Sequence, residues 1–262
     1  MSESRDAAVS RRANVLLVLT ALLGIVLFLV LRLILFNFYS IPSQSNEPTL
    51  FQGDYLLVSK FSYGFSRYSI PLNPVNFHGR ILARPPRRGD MVVFKRPSDT
   101  SVDYIKRVIG LPGDHVQLKA GVVFINGRAM PRRPVGEVQT DLGGGDLVPA
   151  DRFEETTPEG RRYLTQNFPQ SGPGENTGVY VVPPHCYFML GDNRDNSLDS
   201  RQDPGSSPGS CGWDVSGDGG GDATANGVGF VPEENLIGRA LMVILPGGKA
   251  GGDVDRGFRP IR

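Results

Sequence analysis

Tyr104-Ile-Lys-Arg-Val-Ile-Gly-Leu-Pro-Gly-Asp-His-Val-Gln-Leu-Lys-Ala-Gly-Val-Val-Phe-Ile-Asn-Gly127 holds three short apolar runs cut by turn residues. Tyr104–Ile109 reads as a strand stopped by Gly110-Leu-Pro-Gly113. His115–Leu118 and Val122–Ile125 flank Lys119-Ala-Gly121 and read as a hairpin, and Asn126-Gly127 is a strong tight-turn signal. Upstream, Met91-Val-Val-Phe94 is entered through Arg88-Gly89-Asp90, and Asp54–Lys60 is a further apolar run. Downstream, Gly178–Val182, Tyr187–Leu190 and Asn235–Ile244 repeat the pattern. Runs this short, each bounded by turn residues, predict a mainly β domain built as a barrel or as folded-over sheets.

Composition agrees. The 262 residues include 33 glycines and 21 prolines, which favours turns over a helical bundle. A formal net charge of +1, without a Lys/Arg run, gives no footprint for nucleic acid. Only three histidines are present (His78, His115, His185) and there is no C-x-x-C, so no zinc site is expected. No cofactor or metal is assigned. Cys186 and Cys211 either pair outside the cytoplasm or remain two free thiols.

Two stretches read as loose. Residues 131–176 are polar and rich in Pro and Gly, and predict a peripheral lobe, an excursion of β and loop from the core. Residues 203–227 read as a Gly-rich flexible loop. Asp214, Asp218 and Asp222 within it have the chemistry for calcium, but their spacing fits neither an EF-hand nor a repeat.

Val15–Leu31 is almost wholly apolar, and Leu33–Phe36 continues it past Arg32. About 20 apolar residues cross a bilayer. A cleaved signal peptide would have a shorter run followed by a small-x-small site; here the bulky Asn37-Phe38-Tyr39 follows. An uncleaved single-pass anchor over residues 13–36 is therefore expected. Arg5, Arg11 and Arg12 outnumber Glu3 and Asp6 before it, which places residues 1–12 in the cytoplasm and the rest outside. The remaining divisions are a core of 37–114 and 178–262 and a lobe of 115–177.

Ile41-Pro-Ser-Gln-Ser-Asn-Glu-Pro-Thr-Leu50 follows the anchor directly. A serine attacks a carbonyl only when a base removes its proton. A lysine serves when burial lowers its pKa. Strand alternation puts Lys106 on a face with Tyr104 and Val108, with Arg107 on the other. A third segment, Gly191-Asp-Asn-Arg-Asp-Asn-Ser-Leu-Asp-Ser-Arg201, is dense in turn residues and opposing charges. Serines after a membrane helix are ordinarily linkers, however, and strand lysines ordinarily snorkel to solvent. Spacing alone does not bring Ser45 and Lys106 together.

The pairing comes from a resemblance. Ile41–Leu50, Arg88–Phe94 with Tyr104–Asp114, Gly191–Arg201 and Phe230–Ala240 resemble, in order, the conserved segments of bacterial type I signal peptidases, or leader peptidases. The resemblance implies that Ser45 is the nucleophile and Lys106 the general base. It makes the Ser43 hydroxyl and the Ser45 N–H the oxyanion donors, and gives Ser197 the task of orienting the lysine. Asp199 and Arg201 become a structural ion pair. Ile41, Leu50, Tyr104 and Ile105 line small pockets for Ala-x-Ala. It further implies a β-rich catalytic core and signal peptides of secretory preproteins as substrates. The setting is the bacterial inner membrane, with lipid and the export machinery as neighbours.

Asn46 departs from the pattern, which has methionine there, and so bears on pocket shape. It is the one feature favouring a catalytically weak, signal-peptide-binding relative. A self-cleaving Ser–Lys regulator of the repressor type would need a DNA-binding helical domain where this chain has its apolar run.

Overall fold

A computed structural model describes residues 2–70, 77–141, 147–169, 174–202, 211, 215–216, 227–247 and 257–261; for 2–13, 141 and 215–216 it describes the backbone alone. Most of the expected 203–227 loop, including Asp214, Asp218 and Asp222, lies outside the described residues.

Helix α1 runs Ser2–Leu35. Its Asn14–Leu35 stretch is 22 residues long, and none of it is buried in the protein. At 1.5 Å per residue such a stretch spans about 33 Å, enough to cross a hydrocarbon core. The helix ends one residue before the expected 36, because Phe36 opens a strand. That strand, β1 (Phe36–Ser40), pairs antiparallel with β2 (Tyr55–Ser59), register Phe36↔Ser59 to Ser40↔Tyr55. Lys60 secures the junction: its N–H donates to the Leu35 carbonyl and its Nζ to that of Leu33, at 2.9 and 3.1 Å. These are carbonyls a helix C-terminus leaves without intrahelical partners.

The next strands cover the apolar runs, with β4 starting five residues before the expected Tyr104 and β7 a short unexpected addition. They are β3 (Met91–Arg96), β4 (Asp99–Gly110), β5 (His115–Lys119), β6 (Val122–Ile125) and β7 (Arg128–Ala129). The 131–176 stretch, expected as a peripheral excursion of strand and loop, holds a regular sheet whose strands are not legible one by one in the sequence. It contains β8 (Arg132–Asp141), β9 (Leu147–Thr156) and β10 (Arg162–Asn167), paired as a three-stranded antiparallel sheet. Both faces of this sheet bury mainly polar residues: Thr140 and Gln166 beside Ala150 on one, Glu155, Thr165 and Asn167 beside Tyr163 on the other. A polar interior leaves no apolar alternation to read.

The chain closes with β11 (Val179–Val181), β12 (Cys186–Leu190), β13 (Val215–Ser216), β14 (Val231–Pro232), β15 (Leu236–Leu245) and β16 (Arg259–Pro260). The large sheet runs β1-β2-β15-β3-β4-β12-β14, with β16 against β15; a second runs β13-β11-β5-β6-β7. All pairings between these strands are antiparallel. Ile109, Val116, Leu118, Phe188 and Phe230 fill the space where the two sheets meet. Gly110, at the end of β4, allows that approach: a Cβ there would sit 2.8 Å from Phe188 Cβ and Val116 Cγ2. Cys186 and Cys211 form a disulfide with Cα atoms 6.3 Å apart, which resolves the open question of their state.

Candidate active site

Ser45 lies in a tight turn between β1 and β2. The Glu47 N–H donates to the Gln44 carbonyl, and the Thr49 and Leu50 N–H groups donate to that of Asn46. Lys106 lies on β4, opposite Val92 of β3. Lys106 Nζ donates to Ser45 Oγ at 2.5 Å, and both residues are buried. Burial pushes the Lys106 ammonium down to about 8; the charges of Asp199 and Asp192 oppose that, and Arg201 adds to it. A lysine so depressed is half neutral near pH 8 and mostly neutral above it, where it has a lone pair for a proton. The Ser43 and Ser45 hydroxyl oxygens lie 3.2 Å apart. No hydrogen bond is donated by the Ser45 N–H among the described residues.

Gly191–Arg201 forms the bed under this pair. The Asn193 N–H donates to the Ser45 carbonyl at 3.1 Å and its Nδ2 to the Gln44 carbonyl at 3.2 Å. Gly191 has no room for a side chain, since a Cβ would stand 2.2 Å from Ser197 Oγ and 2.4 Å from the Ser45 carbonyl oxygen. Arg201 grips Asp199 with two nitrogens at 2.9 Å each. Burial acts to raise the Asp199 pKa, but the Arg201 charge and hydrogen bonds and the Gly191 N–H hold the carboxyl below its ordinary value.

A cleft of about 540 Å³ opens on Ser45 and Lys106. Pro42, Ser43 and Ser45 form one wall, Val102–Lys106 another, and Arg194–Leu198 a third. A hollow of about 40 Å³ adjoins it, lined by Ile41, Tyr104 and Ile105 among others. A second cleft of about 500 Å³ lies behind the turn, against Pro48 and Thr49, and touches neither Ser45 nor Lys106.

Most residues singled out in the sequence converge here, but two sit differently from their expected tasks. Leu50 is fully buried in the core with Leu56, Val58 and Met91, and supports the turn from beneath rather than lining the cleft. Ser197 is in the cleft wall, but its Oγ makes no hydrogen bond among the described residues, to Lys106 or otherwise. Asn46 is not a cleft residue either. It is 1 % exposed, and its Nδ2 donates to the Ile105 carbonyl at 2.8 Å.

Sequence reading missed the charged lattice under the site. Arg107 is fully buried and holds Asp192 with two hydrogen bonds of 2.7 and 2.6 Å, while its guanidinium stacks 4.2 Å from the Tyr163 ring centroid. Thr49 Oγ1 donates to the same carboxylate at 2.5 Å. Arg194 is paired twice with Glu155 of β9, at 2.8 and 2.6 Å. Strand alternation put Arg107 on the face opposite Lys106; that this face is also buried was not visible, because its partners come from distant segments.

The comparisons with known proteins identify the family. The family described as signal peptidase, peptidase S26, matches residues 12–245. A signal peptidase I of Rickettsia typhi is 39 % identical over 227 residues, 82 % of this chain and 74 % of that one. One from Rickettsia prowazekii is 38 % identical over 223 residues, with the same coverage. A solved signal peptidase I from Enterococcus faecalis V583 reaches a TM-score of 0.29 at 21 % identity, covering 60 % of this chain and 97 % of that one, and the family assignment does not rest on it. With 234 consecutive residues matched and relatives close to 40 % identical across most of their length, this chain belongs to the signal peptidase family, peptidase S26, and is a hydrolase of peptide bonds.

Proposed function

We propose that the chain is a membrane-anchored serine endopeptidase that removes signal peptides from exported preproteins through a Ser45–Lys106 dyad. The observation that carries the reading is the 2.5 Å contact between Lys106 Nζ and Ser45 Oγ, with the lysine buried and its pKa pushed down to about 8. Neutral Lys106 takes the Ser45 proton as Oγ attacks the scissile carbonyl. The oxyanion is met by the Ser43 hydroxyl and the Ser45 N–H, donors that act on the charge of the transition state. Lys106 then hands its proton to the leaving amine, and Ser197 Oγ, unpartnered in the cleft wall, is available to steer the ammonium at that point. An acyl-enzyme on Ser45 forms, and water deprotonated by Lys106 releases it.

The small hollow beside Ile41, Tyr104 and Ile105 suits the short side chains of Ala-x-Ala. α1 holds the protein in the inner membrane with its N-terminus in the cytoplasm, and the β domain meets substrate on the outer face, beside lipid and the export machinery. The test is cleavage of an Ala-x-Ala preprotein in detergent. Ser45→Ala and Lys106→Ala are each expected to be inactive while remaining folded; wild-type rates from either would overturn the reading.

A further inference from the structure

The polar sheet β8–β10 reaches the Ser45 turn through one side chain. Glu47, two residues past Ser45, is 5 % exposed. Its Oε2 accepts a 2.8 Å hydrogen bond from Thr140 Oγ1 on β8, and Gln166 Nε2 on β10 lies 3.5 Å from the same oxygen. Arg152 on β9, itself partly buried, supplies the nearby positive charge. A carboxylate taken out of water is tolerated only with such partners. All of those named here come from one sheet, one from each strand.

Gln166 also binds the other active-site segment. Its N–H donates to the Asp192 carbonyl and its carbonyl accepts from the Arg194 N–H, both at 2.9 Å. Glu155 of the same sheet holds the Arg194 guanidinium. One sheet therefore grips the turn that carries Ser45 and the loop beneath Lys106. None of Glu47, Thr140 or Gln166 lines the cleft.

From this we infer that Glu47 is a positioning residue for Ser45, held by the Thr140–Arg152–Gln166 face of β8–β10, and that this sheet serves catalysis by fixing the Ser45 turn against Lys106. The inference rests on the reading of Ser45 as nucleophile. Displacing a reacting group by a fraction of an ångström to an ångström lowers turnover while leaving substrate contacts in place. Glu47 is not among the charges that set the Lys106 pKa, so its loss should leave the pH dependence alone.

The experiment uses the full chain in detergent with an Ala-x-Ala preprotein. Thr140→Val, which alters only the sheet side of the contact, is expected to lower kcat about tenfold with KM within about twofold of wild type. The acid limb of the pH profile should not move. Glu47→Gln keeps an acceptor for Thr140 and should fall between wild type and Glu47→Ala. The pair Glu47→Ala with Thr140→Val should be no slower than the slower single variant, because both break one contact. Unchanged kcat in Thr140→Val, or fully additive losses in the pair, would overturn the inference. Should Glu47→Ala not fold, Thr140→Val and Glu47→Gln still decide it. Ser45→Ala is the control: if it still cleaves, the nucleophile assignment has failed. If it is dead and Thr140→Val is fast, only the positioning role has failed.

Discussion

Asn46 Nδ2 donates to the carbonyl of Ile105 at 2.8 Å, tying the residue after Ser45 to the residue before Lys106. The bond spans 59 residues of sequence and is buried on the Asn46 side, so the two halves of the dyad are fastened one position away from the reacting atoms. The residue that looked like a disturbance of the pocket is a brace. Replacing it by alanine removes the donor and strands the Ile105 carbonyl, a change of about 1 kcal/mol in stability for a typical hydrogen bond. Asn46→Ala should show a small drop in melting temperature and a larger relative drop in kcat, measured on the same preparation. Asn46→Met, which cannot donate, should not restore kcat.

The depressed Lys106 pKa gives the pH dependence a sign. The lysine works as a base only when neutral, and it is protonated below about 8. Cleavage should therefore fall as pH drops through about 8, approaching tenfold per unit further down. A kcat/KM profile flat from pH 6 to 9 would exclude Lys106 as the group that limits the reaction.

Arg107 and Asp192 are both fully buried and satisfy each other. Asp192→Ala would leave the guanidinium uncompensated and withdraw an acceptor from Thr49. Removing one partner of a buried ion pair destabilises by about 3–5 kcal/mol. Chemical denaturation of Asp192→Ala should show a loss of that order, with activity lost through unfolding. An exposed pair such as Arg133–Glu154 should change stability by less than about 1 kcal/mol on truncation.

Gly191→Ala is a steric test. The added methyl would meet the Ser45 carbonyl oxygen at 2.4 Å and Ser197 Oγ at 2.2 Å. Rotation can relieve the Ser197 Oγ contact but not that with its Cβ at 2.5 Å, so either the Ser197 loop or the backbone of the Ser45 turn must shift, and the second moves Ser45. A fall in kcat of about a hundredfold is expected, since misplacement by about 1 Å has that effect. Near-normal turnover would mean that the turn is looser than the Asn193–Ser45 and Asn46–Ile105 bonds imply.

What could be read in advance follows from where each interaction is local. β3, β5, β6 and β12 lie close to the apolar runs that announce them, while β4 begins at Asp99, five residues before its run, through the polar Asp99-Thr-Ser-Val-Asp103. β1 does not read as a strand because Phe36 counts with the anchor and Asn37-Phe-Tyr39 is too short a run to announce one, though Phe36 already pairs with Ser59. The individual strands β8 to β10 could not be placed because buried positions on both faces, Thr140 and Gln166 on one and Glu155 and Thr165 on the other, are polar where apolar residues would have announced a strand. Ser45 and Lys106 were named through family likeness. Their contact needs the β1–β2 and β3–β4 pairings, which no spacing encodes. Arg107–Asp192, Arg194–Glu155 and Glu47–Thr140 join residues 85, 39 and 93 positions apart, beyond any local pattern.

The most direct measurement is the site of the acyl group. The full chain in detergent is mixed with a peptide ester ending in Ala-x-Ala at pH 8, quenched in acid within the first turnover, digested and weighed. The peptide acyl group should be found on Ser45 in the wild type and should be lost or greatly reduced in Lys106→Ala. An acyl group on any other residue, or undiminished acylation of Ser45 without Lys106, would contradict the dyad.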